Sequence, residues 1–410
     1  MPAARPEPFD LDLIFNRIAS ERHVALAVSG GSDSMALLRL AALWSKARPD
    51  RPKLTILTVD HGLRPEAAGE ARKVAVWAEA LGHSHAVLKW LGPKPMTGLQ
   101  AKARDARYDL MGAWARDHGA SWILTAHTLD DQAETVLMRM QRTSSLDSLA
   151  GVRQVSQWSG VGLFRPLLGE RRDRLRAFLT EVGQAWIEDP SNDDERFERV
   201  RLRKAMPALL AGGLSLAALG ELARQSAAAS DALWAAAGDW VSGHVAAEAE
   251  GFGRLPLAGF AGQPDLIKSR ILGHLIRRFG GGQVPDPHEL EAMTGWMTSG
   301  SRRRTLGGAL FARRKDHVLV GREPGRIDAS PVAVPATGQA LWDRRFVVTA
   351  PPDCLIVPAG TVRGIPRRAD LPAFVQAALP AVMQGGKLLA VPHLGIGEGI
   401  NATIAASFRN

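Results

Sequence analysis

The clearest chemical signal in the sequence is a short run of glycines, serines and one aspartate that follows an apolar segment. Two glycines bring backbone N–H groups close to phosphate oxygens, and the N-terminus of a following helix adds partial positive charge. The aspartate would repel phosphate without an intervening cation, so it is a predicted Mg²⁺ ligand. A plain strand-to-helix turn with polar caps is the alternative. The candidate phosphate-binding residues are Ser29, Gly30, Gly31, Ser32, Asp33 and Ser34.

A second group combines an imidazole with carboxylates. His127 is followed by Asp130 and Asp131, and Glu134 stands one helical turn beyond Asp130. Such a group can coordinate a metal, bind an ammonium group or take a proton from it. An acidic helix N-terminus favoured by the helix dipole would account for the two aspartates. It would not account for His127.

Two further pairs have spacings that suit ligand binding. Asp60 and His61 end an apolar run, where a nucleotide contact and a simple turn cap are both reasonable interpretations. Arg104 and Arg107 lie three residues apart, so they project from one helix face and could hold a phosphate or a departing pyrophosphate. Solvated helix arginines are the alternative.

Between residues 23 and 141, short apolar runs alternate with amphipathic patterns, which predicts βαβ units. The sheet should therefore be parallel and covered on both faces, with ligands at the carboxyl ends of its strands. The predicted strands are His23–Val28, Leu54–Val59, His85–Trp90 and Trp122–Ala126, and the predicted helices are Met35–Lys46, Ala67–Leu81, Leu99–His118 and Asp130–Gln141.

Composition narrows the function classes. The 410 residues carry a formal charge of +9 and only one cysteine, Cys354. A single thiol excludes a disulfide framework and a thiolate zinc or iron–sulfur site built by this chain alone, and it suits a reducing cytoplasm. The N-terminus lacks a signal-peptide pattern, and the uncharged stretch Ala205–Gly220 falls short of the roughly 18 residues of a membrane span. A cytoplasmic protein without a membrane partner is expected.

The motifs together resemble a known family. Ser29-Gly-Gly-Ser-Asp-Ser34 resembles the PP-motif of the N-type ATP pyrophosphatases. The series that follows resembles the tRNA(Ile)-lysidine synthetase family, most closely over residues 23–207. Its further members are Val59-Asp-His-Gly-Leu-Arg64, Ala103-Arg-Asp-Ala-Arg-Tyr108, Thr125-Ala-His-Thr-Leu-Asp-Asp-Gln-Ala-Glu-Thr135, Glu188-Asp-Pro-Ser-Asn192 and, near the end, Leu388-Leu-Ala-Val-Pro392.

The resemblance implies a Rossmann-like catalytic domain that uses ATP and Mg²⁺ to join L-lysine to the wobble cytidine of the isoleucine tRNA with a CAU anticodon, through an adenylated intermediate. It assigns ATP binding to the 29–34 run with Asp60 and His61. The expected catalytic residues are Asp33, Arg107, His127 and Asp131. Expected substrate or tRNA contacts are Arg104, Asp130, Glu134, Arg199, Arg201, Arg203, Arg302, Arg303 and Arg304.

Three domains are expected on this basis. Residues 1–205 would be the catalytic α/β domain, 206–330 a mostly helical basic domain that binds tRNA, and 331–410 a small α+β domain that binds the acceptor side of the tRNA. Between Lys268 and Arg322 there are 11 Lys or Arg against 4 Asp or Glu, which favours contact with a polyanion. The oligomeric state is open, with a homodimer as one expectation.

Two segments depart from the family pattern. Val200 stands where an Asn is expected in Arg199-Val-Arg-Leu-Arg203, and Arg142-Thr-Ser-Ser-Leu146 replaces an Arg-Gly-Ser-Gly loop. The alternatives to the synthetase are another tRNA-modifying or amidating enzyme of the PP-loop class, and a catalytically inactive tRNA-binding relative. Thiolating and deazaguanine-forming members need cysteines that this chain lacks.

Overall fold

The apolar runs of the first half of the chain form a six-stranded sheet in the computed structural model. The structure describes residues 8–405 except 48–49, 51, 63–65, 93, 96, 144, 189–194, 283 and 300. The strands of this sheet are β1 (His23–Ala27), β2 (Lys53–Asp60), β3 (Ser84–Lys89), β4 (Trp122–Leu124), β5 (Val155–Trp158) and β6 (Val161–Phe164). Only β5 runs antiparallel to its neighbour.

Helices lie between these strands, as the alternating pattern predicts, and the predicted α/β fold is confirmed. The observed ends differ from the predicted ones by a few residues at most. The helices up to residue 211 are α1 (Leu11–Phe15), α2 (Ser32–Lys46), α3 (Ala67–Ala80), α4 (Leu99–Asp117), α5 (Leu129–Met140), α6 (Leu146–Leu149), α7 (Arg172–Glu181) and α8 (Glu198–Ala211).

Both faces of the sheet are buried, because successive side chains of a strand point to opposite faces. On β1, Val24 and Leu26 pack into one core together with α2 and α7, whereas Ala25 between them packs into a second core. Tyr108 and Met111 of α4 fill that second core. The continuous apolar strands therefore reflect a sheet covered by helices on both sides.

The strand order β3-β2-β1-β4-β6-β5 reverses direction between β1 and β4. In such sheets the loops after the two central strands diverge and leave a crevice at their carboxyl ends. The segment after β1 leads into the first turn of α2, which holds Asp33, and the segment after β4 holds His127 and leads to Asp131 in the first turn of α5. The topology thus brings together two motifs that are about a hundred residues apart in sequence.

Contacts divide the chain into an N-terminal unit, Met1–Ala229, and a C-terminal unit, Ser230–Asn410, and the division falls within α9 (Leu216–His244). No single helix of the described residues has the length and hydrophobicity of a membrane span. Helices α8 and α9 meet that test only as a pair, bent by 111°.

The C-terminal unit contains three antiparallel sheets, with orders β7-β10-β9-β8, β11-β14-β15-β16 and β12-β13-β17. The sequence analysis did not predict the first of these within the region 206–330. The strands are β7 (Phe252–Pro256), β8 (Arg303–Leu306), β9 (Ala309–Arg313), β10 (His317–Arg322), β11 (Val332–Ala333), β12 (Gln339–Trp342), β13 (Phe346–Thr349), β14 (Leu355–Pro358), β15 (Pro380–Gln384), β16 (Lys387–Ala390) and β17 (Asn401–Ile404). The helices are α10 (Leu257–Ala261), α11 (Asp265–Leu275), α12 (Pro287–Ser299) and α13 (Ala373–Ala377).

Candidate active site

Residues 29–34, the run predicted to bind phosphate and called the phosphate loop below, cover the end of the β1–α2 connection and the first turn of α2. Gly30 has a φ of 94°, a backbone conformation that favours glycine. Its carbonyl accepts a hydrogen bond from the N–H of Ile187 at 2.9 Å. A Cβ at Gly30 would lie 2.6 Å from the Ile187 side chain. Both the turn and this close packing therefore require a glycine at the position.

The serines of the phosphate loop hold its shape. The Ser34 hydroxyl donates to the Gly31 carbonyl at 2.9 Å and accepts from the Gly30 N–H at 3.2 Å. No side chain of the described residues caps the N-terminus of α2, for which Gly31 is the N-cap. The N–H groups of the first turn are thus available to an anion, as the sequence analysis predicts.

The segment after β4 is fixed by a capping box at the start of α5. The Thr128 hydroxyl accepts from the Asp131 N–H at 3.3 Å, and Asp131 Oδ2 accepts from the Thr128 N–H at 3.0 Å. Because Oδ2 is committed to this cap, Oδ1 is the oxygen that Asp131 presents to other groups. Thr128 is completely buried, so the cap is rigidly held.

Asp33, Asp131 and Glu134 form a carboxylate cluster around the guanidinium of Arg172. Arg172 Nε donates to Asp33 Oδ2 and Nη2 to Asp131 Oδ1, both at 2.9 Å, and Nη1 lies 3.5 Å from Glu134 Oε1. Although burial opposes the charged form, these carboxylates raise the pKa of Arg172 above its ordinary value. Arg172 was not among the predicted site residues.

The pKa values of the two aspartates of the carboxylate cluster shift in opposite directions. Burial raises the pKa of Asp33, and Arg172 only partly offsets this effect. Burial also acts on Asp131, but Arg172, the hydrogen bonds of Thr128 and His127 together hold the pKa of Asp131 below its ordinary value. Asp131 is therefore the more readily ionised of the two, and the charged form of Asp33 depends more on a compensating cation.

Glu134 is only 2% exposed and is surrounded by arginines. Arg203 binds it through two hydrogen bonds of 2.9 and 3.1 Å, and Arg199 Nε lies 3.5 Å from its carboxylate. Arg199 and Arg203 are four residues apart on α8, which places them on one face. Arg201 points elsewhere and donates to the backbone carbonyls of Glu195 and Arg196.

Asp130 binds the start of α7. Its Oδ2 accepts from the Arg172 N–H at 2.9 Å and from Arg171 Nε at 3.4 Å. A carboxylate at a helix N-terminus is favoured by the helix dipole. Asp130 thus connects α5 to α7 and helps to place Arg172 in the carboxylate cluster.

A second group, the arginine cluster of Arg104, Arg107 and Arg165, surrounds the ring of Tyr108. The guanidinium carbons of Arg104 and Arg107 each lie 5.1 Å from the ring centre. Burial raises the pKa of the Tyr108 hydroxyl, but the three arginines outweigh it and lower that pKa overall. Within the described residues, no carboxylate lies within salt-bridge distance of these three arginines, and Arg107 Nε is buried without a partner. The arginine cluster is therefore suited to an anion.

His127 lies under the influence of both clusters. The pKa of His127 is lowered to about 3, mainly by burial. The charges of the three arginines also lower this pKa, whereas the charge of Asp131 opposes the shift. The Thr125 hydroxyl lies 2.9 Å from its Nδ1. The imidazole is thus neutral near pH 7 and can accept or donate one hydrogen bond at its other nitrogen.

Asp60 and His61 lie at the carboxyl end of β2. Asp60 Oδ1 accepts from the Gly62 N–H at 2.8 Å, so the side chain that caps this turn is that of Asp60. His61 packs edge-on against Trp90, with ring centres 6.0 Å apart. Burial and the charge of Arg107 lower the pKa of His61, and its Nδ1 is buried without a partner among the described residues. Arg64, the last residue of the motif at 59–64, lies outside the described residues, as do residues 189–192 of the motif that begins at Glu188.

The residues of the candidate site can be compared with those that a nucleotide and a metal ion require. The uncapped helix N-terminus and the unpaired arginine cluster fit a polyphosphate. No group of three or more His, Cys, Asp or Glu residues in the described chain could hold a metal by itself. A single carboxylate such as Asp33 still fits Mg²⁺, which commonly takes one or two carboxylates together with substrate phosphates and water.

Arg302, Arg303 and Arg304 form a basic knot in the C-terminal unit. Arg302 and Arg303 are exposed at the start of β8, whereas Arg304 is half-buried and donates to the Ala292 carbonyl at 2.9 Å. The first two side chains are thus open to a partner. Arg304 also has a structural role.

Sequence reasoning missed Arg165 and Arg172. Arg171 and Arg172 lie at the N-terminus of α7, where the helix dipole disfavours a cation. That unfavourable position was the available signal, because a basic residue there needs nearby carboxylates. Arg165 follows β6 directly, at the same sheet edge as the predicted site.

Comparison with known proteins identifies the family. A family model described as a PP-loop domain matches residues 9–209. The tRNA(Ile)-lysidine synthase of Ruegeria pomeroyi is 36% identical over 398 residues, which cover 93% of this chain and 91% of that protein. The chain belongs to the tRNA(Ile)-lysidine synthase family. The resemblance stated from the motifs is thereby confirmed, and membership of the PP-loop class implies the use of ATP.

Other relatives agree with this family. The tRNA(Ile)-lysidine synthase of Methylobacterium sp. (strain 4-46) is 44% identical over 314 residues, covering 74% of this chain and 90% of that protein. Among solved structures, the U34-tRNA thiolase NcsA from Methanococcus maripaludis with its [4Fe-4S] cluster is similar over 53% of this chain and 76% of its own, with a TM-score of 0.45 and 15% identity.

Proposed function

We propose that this protein uses ATP to attach L-lysine to C2 of the wobble cytidine in the isoleucine tRNA with a CAU anticodon, releasing AMP and pyrophosphate. The observation that carries the proposal is the family relationship over 93% of the chain. The carboxylate cluster and the arginine cluster at one sheet edge support it, because the reaction needs sites for one cationic and several anionic groups.

In the first step, the cytosine O2 attacks the α-phosphorus of ATP and the bond to the β-phosphate oxygen breaks. The phosphate loop holds the triphosphate, and the Arg104 and Arg107 guanidiniums meet the negative charge of the departing pyrophosphate. Mg²⁺, held by Asp33, would supply further charge neutralisation. Asp60 and His61, at the end of the neighbouring strand, are proposed nucleotide contacts.

In the second step, the ε-amine of lysine attacks C2 and AMP leaves. The Asp131 and Glu134 carboxylates are partners for the ammonium group of the incoming lysine, and the amine must lose one proton before or during attack. A neutral His127 can accept a hydrogen bond from that amine and orient its lone pair.

We assign tRNA binding to the basic part of the C-terminal unit. Exposed arginines such as Arg302 and Arg303 contact phosphates and position a nucleic acid, but carry little sequence information. Arg201 on α8 is a further proposed phosphate contact. The three-part division at 205 and 330, the acceptor-side role of residues 331–410, and a homodimeric state remain parts of this proposal.

The proposal is tested by pyrophosphate release from ATP with and without tRNA. Release should require the isoleucine tRNA transcript and should not require lysine, because adenylation precedes lysine attack. Release without any tRNA would favour another ATP pyrophosphatase. No release with any tRNA would favour a tRNA-binding relative without activity.

A further inference from the structure

The centre of the carboxylate cluster is already filled by a cation of the protein itself. The Arg172 side chain is 15% exposed and donates to Asp33 and Asp131 at 2.9 Å each. Its third nitrogen lies 3.5 Å from Glu134. The groups proposed to receive the lysine ammonium are therefore engaged before lysine arrives.

The charges of this array balance without a ligand. The cluster and its ion-pair partners contain equal numbers of acidic and basic side chains, with the three carboxylates of Asp33, Asp131 and Glu134 facing the three guanidiniums of Arg172, Arg199 and Arg203. Adding an ammonium while Arg172 stays in place would leave an uncompensated positive charge in a largely buried site, which is costly. Lysine binding thus requires that one of the resident cations moves away.

We infer that Arg172 competes with the lysine ammonium for Asp131 and Glu134, and that bound nucleotide draws Arg172 away. This inference rests on the proposed function. Asp33, one of its present partners, is the second residue of α2 and lies in the phosphate loop itself. A guanidinium binds phosphate oxygens well, so a triphosphate on that loop offers Arg172 a new anionic partner.

The consequence is an order of binding. Nucleotide releases the carboxylates from Arg172, and lysine then binds them. By thermodynamic reciprocity, lysine also favours the nucleotide-bound arrangement. Lysine would then bind weakly until nucleotide is present and an activated tRNA can form in the same site. Weak binding before that point keeps lysine from occupying the site when no reaction can follow.

The test is calorimetric titration of the full-length protein with L-lysine, with and without a non-hydrolysable ATP analogue and Mg²⁺. Arg172→Met removes the competing charge while keeping much of the side-chain volume. Without nucleotide, this variant should bind lysine on the order of tenfold more tightly than wild type. The analogue should strengthen lysine binding to wild type and change it less than about twofold in the variant.

Two controls isolate the charge competition. Arg174→Met lies on the same helix, where Arg174 pairs with Glu170 and stacks on Phe9, and it should bind lysine as wild type does. L-norleucine lacks the ε-ammonium and should gain no affinity in the Arg172 variant. Arg172→Gln, which is neutral but keeps hydrogen-bonding groups, is the second variant if Arg172→Met does not fold.

A lysine affinity that does not increase when Arg172 is replaced overturns the inference. Equal or weaker lysine binding by the Arg172 variants would mean that Arg172 is a structural support or a direct lysine ligand. If wild type is active on tRNA while this result is obtained, only the inference fails. If no protein binds lysine with or without the analogue, and wild type transfers no lysine to tRNA, the proposed function fails with it.

Discussion

The carboxylate cluster and the arginine cluster lie in the same unit of the chain, yet they differ in how their charges are satisfied. Each member of the carboxylate cluster has an arginine within 3.5 Å. The arginine cluster has no salt-bridged carboxylate among the described residues and instead packs around Tyr108. One region is internally neutral, and the other carries excess positive charge.

This difference indicates how each region meets its ligand. An unpaired arginine cluster is preorganised for an anion and requires little rearrangement when phosphate binds. A paired carboxylate cluster must give up internal salt bridges before it accepts a cation from outside. We therefore expect the phosphate half of the reaction to be ready in the free protein, and the lysine half to depend on nucleotide.

The largest expected effect is that of Asp33→Asn. Without the Asp33 carboxylate, the Mg²⁺ proposed to accompany the triphosphate would lose its protein ligand, so pyrophosphate release should fall to background while tRNA binding stays nearly intact. Pyrophosphate release and tRNA gel shift measure the two properties separately. Wild-type turnover in this variant would show that the phosphate loop assignment is wrong.

Removing one charge from each cluster should slow turnover on the order of a hundredfold or more, the usual scale for losing transition-state charge or proton handling. Arg107→Ala should slow pyrophosphate release. Asp131→Ala should slow lysine transfer more than it slows pyrophosphate release. A different step slowed by each variant would indicate that the two clusters have different roles in the reaction.

Matched variants make that result specific. Arg116→Ala removes an arginine from the same helix as Arg107, where it donates to the Ser159 carbonyl, and should leave both steps near wild type. Near-normal kinetics for both Arg107→Ala and Asp131→Ala would move the active site elsewhere.

A smaller effect is expected for the basic knot of the C-terminal unit. Replacing Arg302, Arg303 and Arg304 with Ala should remove one to three phosphate contacts. The slope of log K for tRNA binding against log salt concentration should then become less steep by about 0.7 to 0.9 for each lost contact. The KM for tRNA should rise and the KM for ATP should hardly change. An unchanged slope in a salt titration would mean that the knot is only a solvated surface.

The double variant Arg302→Ala/Arg303→Ala sharpens that measurement. Arg304 is held by the Ala292 carbonyl, so its removal also affects local structure. If phosphate contact explains the slope, the double variant should account for most of the change and should unfold at the wild-type temperature.

The smallest expected effect concerns His127, whose pKa is influenced by both clusters. Its pKa is about 3 in the folded protein, below its unfolded value near 6.5, so the unfolded state binds more protons in between. Its contribution to the free energy of unfolding is therefore complete above pH 6.5 and is lost as the pH falls. Between pH 7 and 5, urea denaturation should show a loss roughly 1 to 2 kcal/mol larger for wild type than for His127→Gln. Equal losses would contradict a neutral, buried His127.

Much of the fold of the N-terminal unit can be predicted from the sequence. The apolar runs of β1 and β2 and the helix signals of α2 and α5 are strong local patterns, and parallel topology alone predicts that Asp33 and Asp131 share a sheet edge. The capping box at Thr128 and Asp131 is likewise a local signal. These features depend on residues that are close in sequence.

Other features depend on contacts between distant segments. Arg172 lies in the run Arg171-Arg172-Asp173-Arg174, which resembles a solvated helix face, and only folding brings it to Asp33. Strands β8 to β10 were missed because a short hairpin within a basic, helix-rich region carries a weak period-two pattern. Arg201 was grouped with Arg199 and Arg203, although residues two apart on a helix point in different directions.

The proposed reaction is tested most directly by incubating the protein with ATP, labelled L-lysine and individual tRNA transcripts. The account predicts that label enters the isoleucine tRNA with a CAU anticodon, that incorporation requires ATP, and that Asp33→Asn and Asp131→Ala abolish or greatly reduce it. It also predicts that a transcript with a uridine at the wobble position acquires none. Label in no tRNA, or equal label in tRNAs regardless of the wobble base, would contradict the account.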